Sequence, residues 1–79
     1  MTPAHILSRA LVLGPVSIVR HRLEPPGMDV LYRVEITVAT EEGDIAVAAD
    51  SGIDTAFAFT RACQNLAKQI AGRNVGDEQ

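Results

Sequence analysis

From Val30 to Thr40 the chain alternates without a break. Val30, Tyr32, Val34, Ile36 and Val38 fall on one side; Leu31, Arg33, Glu35, Thr37 and Ala39 fall on the other. Successive side chains of an extended strand point to opposite faces, so the pattern predicts a strand with one buried face. Sliding its register by one residue would expose the whole apolar set, so the rest of the fold must cover that one face. Glu41-Glu42-Gly43-Asp44 follows as a polar hairpin loop with a glycine available for a left-handed residue. A third strand then places Ile45, Val47 and Ala49 inward and Ala46 and Ala48 outward.

Upstream, Val16 to Leu23 predicts a first strand with a flaw in its alternation. Val16 and Ile18 share one face, and Val19, His21 and Leu23 share the other. A bulge near Ile18-Val19 would reconcile the two sets. Pro25-Pro26-Gly27 breaks regular structure and makes a loop.

The flanking segments read as helices. Thr2 can cap and Pro3 suits a first helical position, with Ile6, Leu7, Ala10 and Leu11 at helical spacing behind them. A strand through Leu11-Val12-Leu13 is the competing reading of residues 3–12, and Gly14-Pro15 ends either. Downstream, Ser51 with Asp54 three residues on approximates a capping box. On a helical wheel Ile53, Ala56, Phe57, Phe59, Thr60, Cys63, Leu66, Ala67 and Ile70 form an apolar face. Asp54, Ala58, Arg61, Asn65, Lys68 and Gln69 form the opposite one. Gly72 predicts the helix end, and residues 74–79 a frayed tail. The fold class is therefore α+β: a three-stranded antiparallel sheet under one long C-terminal helix, with a short N-terminal helix. The 79 residues allow one small domain, with residues 1–2 and 73–79 expected to be flexible.

Composition narrows the function by exclusion. Seven basic against ten acidic residues give a net charge of −3, which opposes nucleic-acid binding through bulk charge. One cysteine rules out an intramolecular disulfide framework and, with two scattered histidines, argues against structural zinc. No apolar run reaches a membrane-span length and no signal-like leader is visible, so the expected location is cytoplasmic, with no membrane partner. Six of the seven basic residues are Arg and eleven residues are Ala, a coding bias that points to a GC-rich bacterium or one of its phages.

The element order, with Pro25-Pro26-Gly27-Met28 between the first two strands and Ala56, Ala62 and Ala67 recurring along the last helix, resembles the double-stranded-RNA-binding domain. The resemblance covers about residues 3 to 72 and implies an α-β-β-β-α scaffold. The family's RNA contacts are not carried over. Its Gly-Pro-x-His loop signature lacks its histidine here, and its lysine cluster at the last helix is replaced by Asp54, Thr55, Ala56, Phe57 and Ala58. The first helix offers only His5, Ser8 and Arg9. In size, acidity and build the chain is also similar to small phage-encoded anti-CRISPR inhibitors, and to antitoxin domains.

No catalytic, cofactor or metal constellation is apparent. His5 and His21 have no ligand at chelating spacing, and Cys63 falls among apolar residues as a buried thiol would. Ser8, Ser17 and Ser51 lack a nucleophile-elbow context, and Asp50 and Asp54 suit capping. The chain is thus expected not to be an enzyme. Two surfaces point to partners instead. The third strand, Ile45 to Ala49, reads as an edge with no Lys or Pro to guard it, which invites strand addition or homodimers. The open sheet face offers Leu31, Ala39, Ala46 and Ala48 as an apolar floor, rimmed by Arg33, Glu35, Arg20 and Arg22. The expected partner is a host protein or protein complex, held stoichiometrically by Arg20, Arg22, Leu31, Arg33, Glu35, Ala46 and Ala48. The alternative is nucleic acid on the arginine-bearing face.

Overall fold

A computed structural model describes the backbone of residues 2–77 and the side chains of residues 2–72. The elements run α1 (Pro3–Leu13), β1 (Val16–Leu23), β2 (Leu31–Thr40), β3 (Gly43–Ser51) and α2 (Thr55–Asp77). The three strands form one antiparallel sheet in the order β1-β2-β3, so β2 is central and both neighbours are edges. This is the expected α+β class, with the short N-terminal segment a helix rather than a strand.

Thr2 accepts the His5 N–H on its hydroxyl, Pro3 opens the first turn, and Ile6 and Ala10 face the core. The chain leaves α1 at Gly14, whose missing side chain is a packing requirement. A Cβ there would collide with the Ala39 carbonyl oxygen, a backbone obstacle that cannot swing away. The following Pro15 carbonyl accepts the Ala39 N–H at 3.0 Å and starts the ladder between β1 and β2.

That ladder runs unbroken from Val16 opposite Val38 to Leu23 opposite Leu31. No bulge interrupts it at Ile18-Val19, contrary to the expectation from sequence. The conflict in the pattern has another cause: β1 is an exposed edge, half-buried only at Val16 and Leu23, so its apolar residues need not keep one phase.

Val34, Ile36 and Val38 of β2 and Ile45 of β3 make the floor of the core, closed above by Ala58, Ala62, Cys63, Leu66 and Ile70 of α2. This face of α2 differs from the one its wheel suggests. Ala58 lies buried rather than outward, while Ile53 and Phe57 stay 68% and 47% exposed, and Ala56 and Thr60 are exposed as well. Small side chains at Ala58 and Ala62 let the helix sit close to the sheet, where a phenyl ring would hold it off. Ile53 belongs to the turn before the helix. The cap is Asp54, whose Oδ1 accepts the Phe57 N–H at 2.7 Å. Ser51 is buried at the end of β3 and accepts the Ile53 N–H instead. Gly72 does not end the helix: its backbone is not in the left-handed region, and α2 continues to Asp77. The rest of the expected frayed tail, Glu78 and Gln79, lies outside the described residues.

Candidate functional site

The register sorts the proposed contact residues onto two faces. Core residues of β2 are even-numbered, and their β1 neighbours are Val16, Ile18, Arg20 and Arg22. Arg20 and Arg22 therefore rise on the helix-covered side of the sheet. Leu31, Arg33, Glu35, Ala46 and Ala48 share the open side with Ser17, Val19 and His21. The structure brings five of the seven together and separates the other two, so the expected arginine rim around one apolar floor does not form. The cause is the unbroken ladder: it gives Arg20 and Arg22 the phase of Ile18, opposite to that of Arg33.

On the open face the charges are paired across strands. Arg33 donates from Nε to Asp50 Oδ1 at 2.7 Å and from Nη2 to Oδ2 at 3.1 Å, a bidentate bridge joining β2 to β3. The bonds from Arg33 hold the Asp50 carboxyl below its ordinary value, although partial burial works against this. The same bonds raise the Arg33 guanidinium. His21 Nε2 lies 3.3 Å from Glu35 Oε2, linking β1 to β2. Exposed apolar side chains flank Glu35 and Thr37 on this face, Val19 on β1 and Ala46 and Ala48 on β3.

The two edges of the sheet differ in a way the sequence does not signal. In an antiparallel ladder, residues alternate between bonding the neighbouring strand and pointing away from it. The bond from Ala39 to Pro15 sets the odd residues of β2 toward β1 and the even ones toward β3. The outward backbone groups of β3 thus belong to Asp44, Ala46, Ala48 and Asp50. Two of those carbonyls are occupied: Asn65 Nδ2 donates to the Ala48 oxygen at 3.1 Å and Arg61 Nη1 to the Asp50 oxygen at 3.3 Å. The edge predicted to be unguarded is therefore half closed by α2.

The edge of β1 is the open one. Its outward groups belong to Val16, Ile18, Arg20 and Arg22, and α2 lies over β2 and β3 instead. Ile18 and Val19 are both nearly half exposed, one on each side of the strand. Between β1 and the first turns of α2 runs a groove. Ile18, Arg20, Val34, Thr55, Ala56 and Phe59 line one part of about 450 Å³. Arg20, His21, Arg22, Tyr32 and Thr55 line an adjoining part of about 440 Å³. Sequence reasoning missed Phe59, Tyr32 and Thr55 as surface residues. The one available signal was the run Val16, Ile18, Arg20, Arg22, which turns from apolar to cationic along a single face.

Cys63 is buried, and burial pushes its thiol pKa up, as for an inert core residue. Among the described residues no group of three His, Cys, Asp or Glu side chains could hold a metal ion. No helix among them is long and apolar enough to cross a membrane. The α-β-β-β-α order and three-stranded antiparallel sheet are compatible with the double-stranded-RNA-binding fold. No protein-family model, curated protein or solved structure matches the chain.

Proposed function

We propose that this chain is a non-enzymatic binding module that attaches stoichiometrically to another protein, in the manner of a small phage or bacterial inhibitor of a host complex. The observation that carries the reading is the edge of β1: an eight-residue strand with its outward backbone groups uncovered and exposed Ile18 and Val19 beside them. Such an edge accepts main-chain hydrogen bonds from a partner strand, while neighbouring side chains select which strand. The open face, with exposed Ala46 and Ala48 on one side of the Arg33–Asp50 bridge and Leu31 on the other, adds a second contact area of the kind found at protein interfaces.

Nucleic acid is the weaker alternative because most of the relevant arginines already have partners. Arg33 is held by Asp50, Arg22 lies 3.5 Å from Glu24, and Arg61 bonds the Asp50 carbonyl. At the start of α2, where a phosphate would need cations, stand the Asp54 carboxylate and an uncharged first turn.

The test is capture of tagged protein from a bacterial lysate, with and without nuclease and at low and high salt. A defined protein retained in near-equal amount under all four conditions is the expected result. Loss of every partner on nuclease treatment, or at high salt, would replace this reading with the nucleic-acid one.

A further inference from the structure

The groove beside β1 carries its own specificity, and it names the chemistry of the partner segment. We propose that β1 takes up an extended, antiparallel segment of another protein whose sequence runs acid–x–acid–x–apolar–x–apolar. This rests on the protein-binding reading above and deepens it. An added strand would bond to the outward groups of Val16, Ile18, Arg20 and Arg22. Residues directly opposite these four place their side chains on the same, helix-covered face of the sheet. The one opposite Ile18 would enter the apolar part of the groove against Ala56 and Phe59, and the one opposite Val16 would lie beside that half-buried apolar side chain. Those opposite Arg20 and Arg22 would enter the part lined by the two guanidinium groups, Tyr32 and Thr55. Residues between them fall on the open face beside Ser17, Val19 and His21.

Charge decides between a foreign segment and a second copy. Two β1 strands paired antiparallel around Val19 would set Ile18 opposite Arg20 and Val16 opposite Arg22 of the other copy. Four arginines would then line one face of two adjacent strands, an arrangement that repels. Centring the pair on Arg20 sets like charges directly opposite. An acidic segment meets neither obstacle: Arg20 has no ion-pair partner among the described residues, and Arg22 meets only the exposed Glu24, at 3.5 Å, a solvent-screened contact that a segment's acid can replace.

The experiment uses the full-length protein, ¹⁵N-labelled, and three synthetic probes capped at both ends: Glu-Thr-Glu-Thr-Val-Thr-Val, its reversed sequence, and the version with Lys in place of Glu. The expected result is that the first probe shifts the amide signals of Val16, Ile18, Arg20 and Arg22 and binds about tenfold tighter than the Lys version. The reversed probe should be weaker than the first. In the exposed variant Arg20→Glu the preference between Glu and Lys probes should invert while the remaining spectrum is unchanged. Equal response to Glu and Lys probes, shifts confined to Ala46 and Ala48, or no shift with any probe would overturn the groove assignment. Concentration-dependent β1 shifts without peptide would assign the edge to a second copy. Failure of the probes leaves the broader reading to the capture experiment, whereas assignment of the edge to a second copy would remove the observation that carries it.

Discussion

The two edges of this sheet have the same backbone chemistry and opposite fates. β3 lies under α2, whose Asn65 and Arg61 reach the outward carbonyls of Ala48 and Asp50. Among the described residues no such side chain reaches β1, and its Ile18 and Val19 stand half in water. A single helix cannot span three strands, so it must choose a side, and here side-chain size makes the choice. Ala58 and Ala62 allow close approach where α2 crosses β2 and β3, while Phe59 stands toward β1 and lines the groove. One edge is closed and the other becomes available for binding.

The largest expected effect breaks that asymmetry at its origin. Ala62 has no exposed surface, so Ala62→Leu must push α2 off the sheet and should cost about 3 kcal/mol in urea unfolding. The same change at the exposed Ala56, one groove wall, should cost less than about 0.5 kcal/mol. It should also narrow the groove, weakening any β1 ligand without unfolding the protein. Equal costs at the two sites would mean that close packing does not hold α2 over β3.

A smaller effect concerns the guard on β3. Removing Asn65 or Arg61 by Ala substitution should each cost about 1 kcal/mol, the usual net value of one hydrogen bond. The double variant should also self-associate more in sedimentation experiments, because β3 then becomes a second open edge. Unchanged sedimentation would show that α2 shields β3 by bulk alone.

How much of this could be read from the chain depends on the range of the interaction. The alternation in β2 is a local, two-residue pattern imposed by a buried face, and the structure shows it from Leu31 to Thr40 with Val34, Ile36 and Val38 buried; Val30 precedes the strand and Tyr32, near its end, is only half-buried. The cap at Thr2 and the inward set Ile45, Val47 and Ala49 are equally local. The phase of α2 was misread because a wheel ranks residues by hydrophobicity, whereas the helix was positioned by how closely it could approach. Ala58 won over Phe57 for that reason. The faces of Arg20 and Arg22 were ambiguous because an edge strand with little burial leaves no strict pattern. The guard on β3 depends on pairs separated by 11 and 17 residues, for which no local signal exists.

The smallest effect compares the two cross-strand bridges on the open face. Arg33–Asp50 ties β2 to the guarded edge, and His21–Glu35 ties β2 to the open one. The Asp50 carboxyl is held below its ordinary value by the hydrogen bonds from Arg33. A group whose pKa is lower folded than unfolded adds stability at pH values above the unfolded value, about 3.9 for Asp. That contribution disappears as pH falls through the lower, folded value. Both side chains of the Arg33–Asp50 pair are about two-fifths exposed, so solvent screens the bridge and the effect is small. Asp50→Asn should therefore lower the urea midpoint slightly at neutral pH, and the difference from the wild type should vanish under strongly acid conditions. Glu35→Gln, at the single 3.3 Å contact beside the open edge, should lower the urea midpoint at neutral pH by less still. A persistent Asp50→Asn deficit in strong acid would trace the loss to packing of the amide. An equal loss at Glu35 would mean that the single contact ties the open edge to β2 as firmly as the bidentate bridge ties the guarded one.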